Sequence, residues 1–212
     1  MKRKVMAMFL VSLMAVSLLG VAYAHWDDTV QIEGTVHMGE FIVGILDIKM
    51  IGDNEDTFDP PKEVAECYVE LLEPETSVHH VPTETVYKVM LVTTENAYPN
   101  YINYIKFNLK NAGTIPAHIK TVTITAYDET DAQDLAVVEV APGHYDIVDP
   151  VVGAIINLWL YKQETGAPLE SNQLEPCTAE PVDLVIEFKQ EAEECHTYTY
   201  KIEIYAIQWN KN

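Results

Sequence analysis

The chain has 212 residues, 48% apolar and 22% charged, with 13 Lys+Arg against 33 Asp+Glu and a formal charge of −20. This composition excludes a disordered, collagen-like or disulfide-dense chain, and the length is ample for one domain with a real core. The negative field repels phosphate backbones and anionic membrane surfaces, so no nucleic-acid partner is expected, while divalent cations and basic surfaces stay open.

Residues 1–24 read as a secretory signal. Lys2-Arg3-Lys4 forms a cationic start, Val5 to Val21 is apolar apart from Ser12, Ser17 and Gly20, and Ala22-Tyr23-Ala24 places small residues before a cleavage site between Ala24 and His25. Left uncleaved, a stretch of about 20 apolar residues is long enough to anchor in a bilayer, so membrane association is expected only through an uncleaved signal. Cleavage removes three basic residues and no acidic one, leaving a secreted chain of charge −23.

Past the signal, the pattern has period two. Val30, Ile32, Val36 and Met38 share one face, with Gly34 between them, and Thr29, Gln31, Glu33, Thr35 and His37 share the other. This strand is either the first of its own sheet or one lent to a neighbouring subunit. Strand addition supplies backbone hydrogen bonds for affinity and alternate side-chain pockets for register. Head-to-tail lending does not close, so it produces filaments.

Phe41 to Met50 is the next strand candidate, followed by an acidic loop, Asp53 to Pro61. Cys67 to Leu72 comes next, then a loop from Glu73 to Glu84 that carries His79-His80, and then Tyr87 to Val92. Tyr101, Asn103, Ile105, Phe107 and Leu109 line one face of a further strand, and the turn cluster Asn111 to Pro116 leads into His118 to Tyr127, rich in Thr, Val and Ile. Leu135 to Val140 is a strand, whereas Ile155 to Tyr161 fits either a strand or two helical turns. After the irregular stretch Gln163 to Pro181, Val182 to Lys189 and Tyr198 to Ile207 alternate cleanly. Many short strands without intervening helices predict an all-β, antiparallel β-sandwich. There is no N-x-S/T sequon, no internal repeat and no interdomain linker.

Cys67, Cys177 and Cys195 all lie in the exported part, where an oxidising compartment permits one disulfide and leaves an odd thiol. Cys177 and Cys195 bracket a strand of roughly 26 Å, against the ~7 Å a disulfide tolerates. Cys67 is therefore expected to pair with Cys177 or Cys195, unless the Cys177 loop folds back.

Ala24-His25-Trp26-Asp27-Asp28-Thr29-Val30, continued by Gly34-Thr35-Val36-His37-Met38-Gly39, resembles the processing region of the TasA/camelysin family, exported β-rich proteins cleaved by a SipW-type signal peptidase. The blocks Asn96-Ala97-Tyr98-Pro99-Asn100-Tyr101, Asn111 to Ala117 and Tyr198 to Trp209 are similar as well, the first to archaeal members. The resemblance runs from signal to C-terminus, although the middle loops diverge. It implies a jelly-roll-like sandwich assembled into extracellular fibres, as in biofilm matrix and archaeal bundling pili, each subunit complementing the next with its N-terminal strand. Carried onto this chain, the donor strand is Asp28, Thr29, Val30, Gln31, Ile32, Glu33, Gly34, Thr35, Val36, His37 and Met38. The implied organisation is a signal over 1–24, the donor segment over 25–38 and a β-sandwich over 39–212. The implied partners are identical subunits, with neighbouring fibres for lateral bundling.

Some relatives of camelysin carry a metalloprotease label, but a zinc protease needs convergent ligands and a general base. The chain has no H-E-x-x-H and no G-x-S-x-G; His79-His80 sits in a Pro-flanked loop, and His118, His144 and His196 share no spacing. No enzyme and no catalytic residue is expected. No metal ligand set or cofactor is expected either, although Asp53, Glu55, Asp56 and Asp59, and Asp128, Glu129, Asp131 and Asp134, form oxygen-rich loops that suit Ca²⁺ without matching the twelve-residue loop spacing. The alternative to a fibre is a monomeric surface adhesin using Tyr98, Tyr104, Tyr205 and Trp209 to dock a glycan or protein.

Overall fold

The computed structural model describes residues 2–24, 39–57, 63–78, 83–169 and 173–210. The donor segment Asp28–Met38, the cleavage-site residue His25, and His79-His80 lie outside the described residues. Two compact units divide at Met38 and Gly39. In the first, Lys2–Ala24 is one α-helix, α1.

The second unit is all-β and antiparallel. Its strands are β1 (Val43–Asp53), β2 (Glu66–Thr76), β3 (Thr85–Ala97), β4 (Ile102–Asn111), β5 (Ala117–Asp128), β6 (Gln133–Ala141), β7 (His144–Asp149), β8 (Gly153–Lys162), β9 (Gln173–Leu174), β10 (Ala179–Phe188) and β11 (His196–Gln208). Pairing runs β1-β4-β10-β8-β7-β6-β5-β11-β3-β2, and β1 also pairs with β3, so nine strands close into a barrel, with β2 and β9 outside the ring. Two links of the ring are thin: β1 meets β3 through Ile45 and Tyr87 alone, and β5 meets β6 only over Ala126–Asp128.

The alternating strands fold as their pattern dictates. Val182, Leu184, Ile186 and Phe188 of β10, and Tyr198, Tyr200, Ile202 and Ile204 of β11, are all buried. They meet Ile105, Phe107 and Leu109 of β4 and Ile156, Leu158 and Leu160 of β8 in one apolar cluster. The stretch Ile155 to Tyr161, which fits strand or helix, is the strand β8, with Ile156, Leu158 and Leu160 on its inner face. Of the candidate metal loop Asp53 to Pro61, Asp53 and Glu55 fasten the chain. Buried Glu55 accepts backbone N–H bonds from Val64 at 2.8 Å and Ala65 at 3.3 Å, and Asp53 accepts from Glu55 N at 2.8 Å.

The turn cluster after β4 is organised by Asn111, fully buried. Its side chain donates to the carbonyls of Ile115 at 2.8 Å and Leu174 at 3.0 Å, and accepts from Gly113 N at 3.0 Å. Residues before β1 run alongside this turn: Ala112 N donates to Ile42 O, and Thr114 N to Glu40 O. A Cβ on Gly113 would stand 2.3 Å from Glu40 O, so only glycine permits this approach.

The expected pairing of Cys67 with Cys177 or Cys195 is not formed; no disulfide joins the three. Cys67 on β2 and Tyr198 on β11 flank the same β3 residue, Thr94, from opposite sides. The two strands are therefore roughly 10 Å apart, beyond the ~7 Å reach of a disulfide. Cys177 sits elsewhere, its backbone N–H donating to Asn111 O at the far end of β4.

Candidate functional site

Two places in the fold depart from ordinary packing. The first is a pair of strand edges. β2 pairs with β3 alone, and β1 beyond Ile45 pairs with β4 alone, so among the described residues each has an edge without a strand partner. These edges carry apolar side chains open to solvent: Met50 is 42% exposed, Ile51 44% and Tyr68 49%. Behind them Ile48, Cys67, Val69 and Leu71 are half-buried against the core. Unpaired, apolar edges are what soluble proteins ordinarily hide.

Both ends of this region are fastened. At one end Lys88 of β3 donates to Val43 O at 2.7 Å and pairs with Glu75 of β2 at 2.6 Å. At the other end Glu55 holds Val64 and Ala65 just before β2. The start of the described β unit is also held: Glu40 accepts from Ser77 Oγ at 2.6 Å, and its N–H donates to Thr114 Oγ1 at 2.8 Å. Cys67, on the half-buried face of β2, has its thiol pushed up to about 12, chiefly by burial and further by the charge of Asp53, against a Thr94 hydrogen bond.

The second place is where β5 ends and β11 begins. Tyr198 and Asp128 pair in register, which brings His196 beside Asp128 although 68 residues separate them. His196 Nδ1 lies 2.8 Å from Asp128 Oδ2, and Nε2 lies 2.9 Å from Glu193 Oε2. Asp128 is 6% exposed, and its Oδ1 accepts from Thr130 N at 2.9 Å and Asp131 N at 3.2 Å, which turns the chain into β6. Ligand atoms of Asp128, Asp131 and His196 all lie within 4.8 Å of one another. Burial pulls the His196 pKa down, but the Asp128 hydrogen bond and charge, with Glu193 and Asp131 adding, carry it above the ordinary value. An aromatic series backs the cluster: Tyr98, Tyr101, Phe188, Tyr198 and His196 follow one another with ring centroids 5.3, 5.9, 5.5 and 6.0 Å apart.

Of the second acidic loop, Asp128 and Asp131 thus converge, whereas Glu129 and Asp134 are exposed and outside the cluster. Within its own stretch of sequence His196 meets only Glu193, three residues before it; strand pairing brings it to Asp128. His144 is not part of the cluster and stacks on Trp159 at 5.0 Å. The aromatic residues considered for docking are dispersed, with Tyr205 and Trp209 exposed near the end of β11, Tyr104 on β4 and Tyr98 half-buried before it. Family models, curated proteins and solved structures were each compared with this chain, and none matches it.

Proposed function

We propose that this chain is an exported, non-enzymatic subunit of an extracellular filament, of the kind found in biofilm-matrix fibres and archaeal bundling pili, and that it polymerises by lending Asp28–Met38 to the next copy. The observation that carries this reading is the pair of unpartnered edges on β1 and β2, with Met50, Ile51 and Tyr68 exposed on them. A strand added there gains backbone hydrogen bonds, and burial of Val30, Ile32, Val36 and Met38 contributes about 1.5–3 kcal/mol per side chain before ordering costs. The secretory pattern of residues 1–24 and the absence of a protease motif agree with a structural role outside the cell.

The fold reading that goes with it is a jelly-roll-like sandwich. The ring is thin at β1–β3 and β5–β6, and between these links lie two broader sheets, β1-β4-β10-β8-β7 and β5-β11-β3-β2, with β6 passing from one to the other. Buried Asn103 of β4 reaches Thr94 of β3 across the core, as a residue joining two facing layers does.

Electron microscopy of culture supernatant, with N-terminal sequencing of the mature chain, tests the proposal. Filaments beginning at His25, and soluble monomers after deletion of Asp28–Met38, are the expected results. Unchanged filaments from the deleted chain would refute strand lending, and a lasting monomer at high concentration would favour the adhesin reading.

A further inference from the structure

We infer that Asp128, Asp131 and His196 form a binding site for a single divalent transition cation of the zinc type. These groups come from the end of β5, the β5–β6 turn and the first residue of β11, and their ligand atoms already lie within 4.8 Å of one another. Zinc takes imidazole nitrogen and carboxylate oxygen at about 2.0–2.2 Å, so a cation seated among the three needs only small side-chain movements.

Three features distinguish this cluster from an ordinary acidic loop. Its donor set is mixed, one imidazole with two carboxylates, which suits a transition ion better than the all-oxygen shells of calcium and magnesium. Glu193 Oε2 sits 2.9 Å from His196 Nε2, so an Nε2–H donated to Glu193 leaves Nδ1, the nitrogen facing Asp128, as the metal ligand. A carboxylate on the outer nitrogen is the usual support of a metal-bound histidine. Lastly, Asp128 and His196 are both largely buried while Asp131 is exposed, giving the ion a sheltered seat with an entrance from solvent. The chain's charge of −20 draws cations toward that entrance. Bound there, the ion ties the start of β11 to the β5–β6 turn.

The test is isothermal titration of the full chain with Zn²⁺, alongside Co²⁺ absorption spectroscopy. One saturable ion per chain is expected, with Co²⁺ bands characteristic of mixed nitrogen and oxygen ligation. Asp131→Ala changes an exposed side chain outside the core and leaves the fold intact; it should weaken Zn²⁺ at least about tenfold, as should Glu193→Gln acting through the histidine. His196→Gln should remove the Co²⁺ bands. The inference is overturned if wild-type protein shows no saturable binding up to about 1 mM Zn²⁺, or if Asp131→Ala binds as tightly as wild type, in which case the ions sit elsewhere. Neither result bears on filament formation.

Discussion

Asn103 donates its side-chain amide to Thr94 Oγ1 at 2.8 Å with both residues fully buried, a polar link between β4 and β3 inside an otherwise apolar core. Thr94→Val removes the acceptor and leaves the amide stranded, so it should cost about 1–3 kcal/mol. Replacing both partners, Asn103→Leu with Thr94→Val, should recover part of that loss, because the amide goes with its acceptor and only the weak Cys67 thiol bond to Thr94 is lost. Urea unfolding of the two single variants and the double variant measures it; a double variant as unstable as the sum of the singles would refute the coupling.

Gly113 faces the backbone that leads into β1. An added Cβ meets Glu40 O at 2.3 Å and Ile42 N at 2.8 Å, and backbone cannot step aside as a side-chain tip can. Gly113→Ala should therefore destabilise by about 1–3 kcal/mol and speed amide exchange at the Gly113 and Thr114 N–H groups, which donate to Ile42 O and Glu40 O. Thermal melting and hydrogen exchange read both effects. Gly166→Ala is no substitute control, since its φ of 66° strains alanine by itself.

Cys67 and Cys195 should differ sharply in reactivity. The Cys67 thiol is pushed up to about 12, mainly by burial, so at pH 8 almost none of it is thiolate. Cys195 is exposed in the turn before β11. Alkylation of the native protein followed by peptide mapping should label Cys195 first and Cys67 only on unfolding. Equal labelling of the two in native protein would contradict the burial of β2's inner face.

The strands that could be read directly are those whose inner and outer faces differ in polarity. In β10, Val182, Leu184, Ile186 and Phe188 turn inward, and Asp183, Glu187 and the other alternate positions turn out. β7 was not legible: it has six residues, of which only Tyr145 and Ile147 are buried. β8 was ambiguous because Ala154 to Lys162 could also make two helical turns; in the fold Ile155 and Ile156 are both buried, a break in strict alternation. The Asp128–His196 contact was hidden for another reason. Its members lie 68 positions apart, and only the β5–β11 register joins them. The amphipathic segment Asp28–Met38 is legible in the sequence as a candidate donor, but the edges on β1 and β2 emerge only from knowing which strands have partners.

Asp149 caps the turn between β7 and β8. Its Oδ1 accepts from Val152 N at 2.9 Å and Val151 N at 2.7 Å, and these bonds hold its pKa below the usual carboxylate range. A depressed folded-state pKa stabilises the fold above the unfolded value, near 3.9, and that stabilisation is lost as pH falls through the folded value. Asp149→Asn keeps an oxygen acceptor without the charge. Wild type should exceed it in stability by roughly 1 kcal/mol or less at neutral pH, and the gap should close as the solution is acidified. A gap that widened toward low pH would reverse the sign of this argument.

Charge on the open edges separates assembly from folding. Ile51 and Tyr68 are exposed, so Ile51→Lys and Tyr68→Lys add ammonium groups without opening the core. Lysine on an edge is the device by which natural sheets discourage strand addition. The doubly substituted protein should therefore melt within about 0.5 kcal/mol of wild type yet form few or no filaments in electron micrographs. Salt sharpens the test, because processed subunits, with the three basic residues of the signal removed, carry −23 and repel one another, whereas a buried strand junction is little screened. Raising ionic strength should promote side-by-side bundling of wild-type filaments while their axes persist. Loss of the axes in high salt, or normal filaments from the lysine variant, would place the junction somewhere other than these two edges.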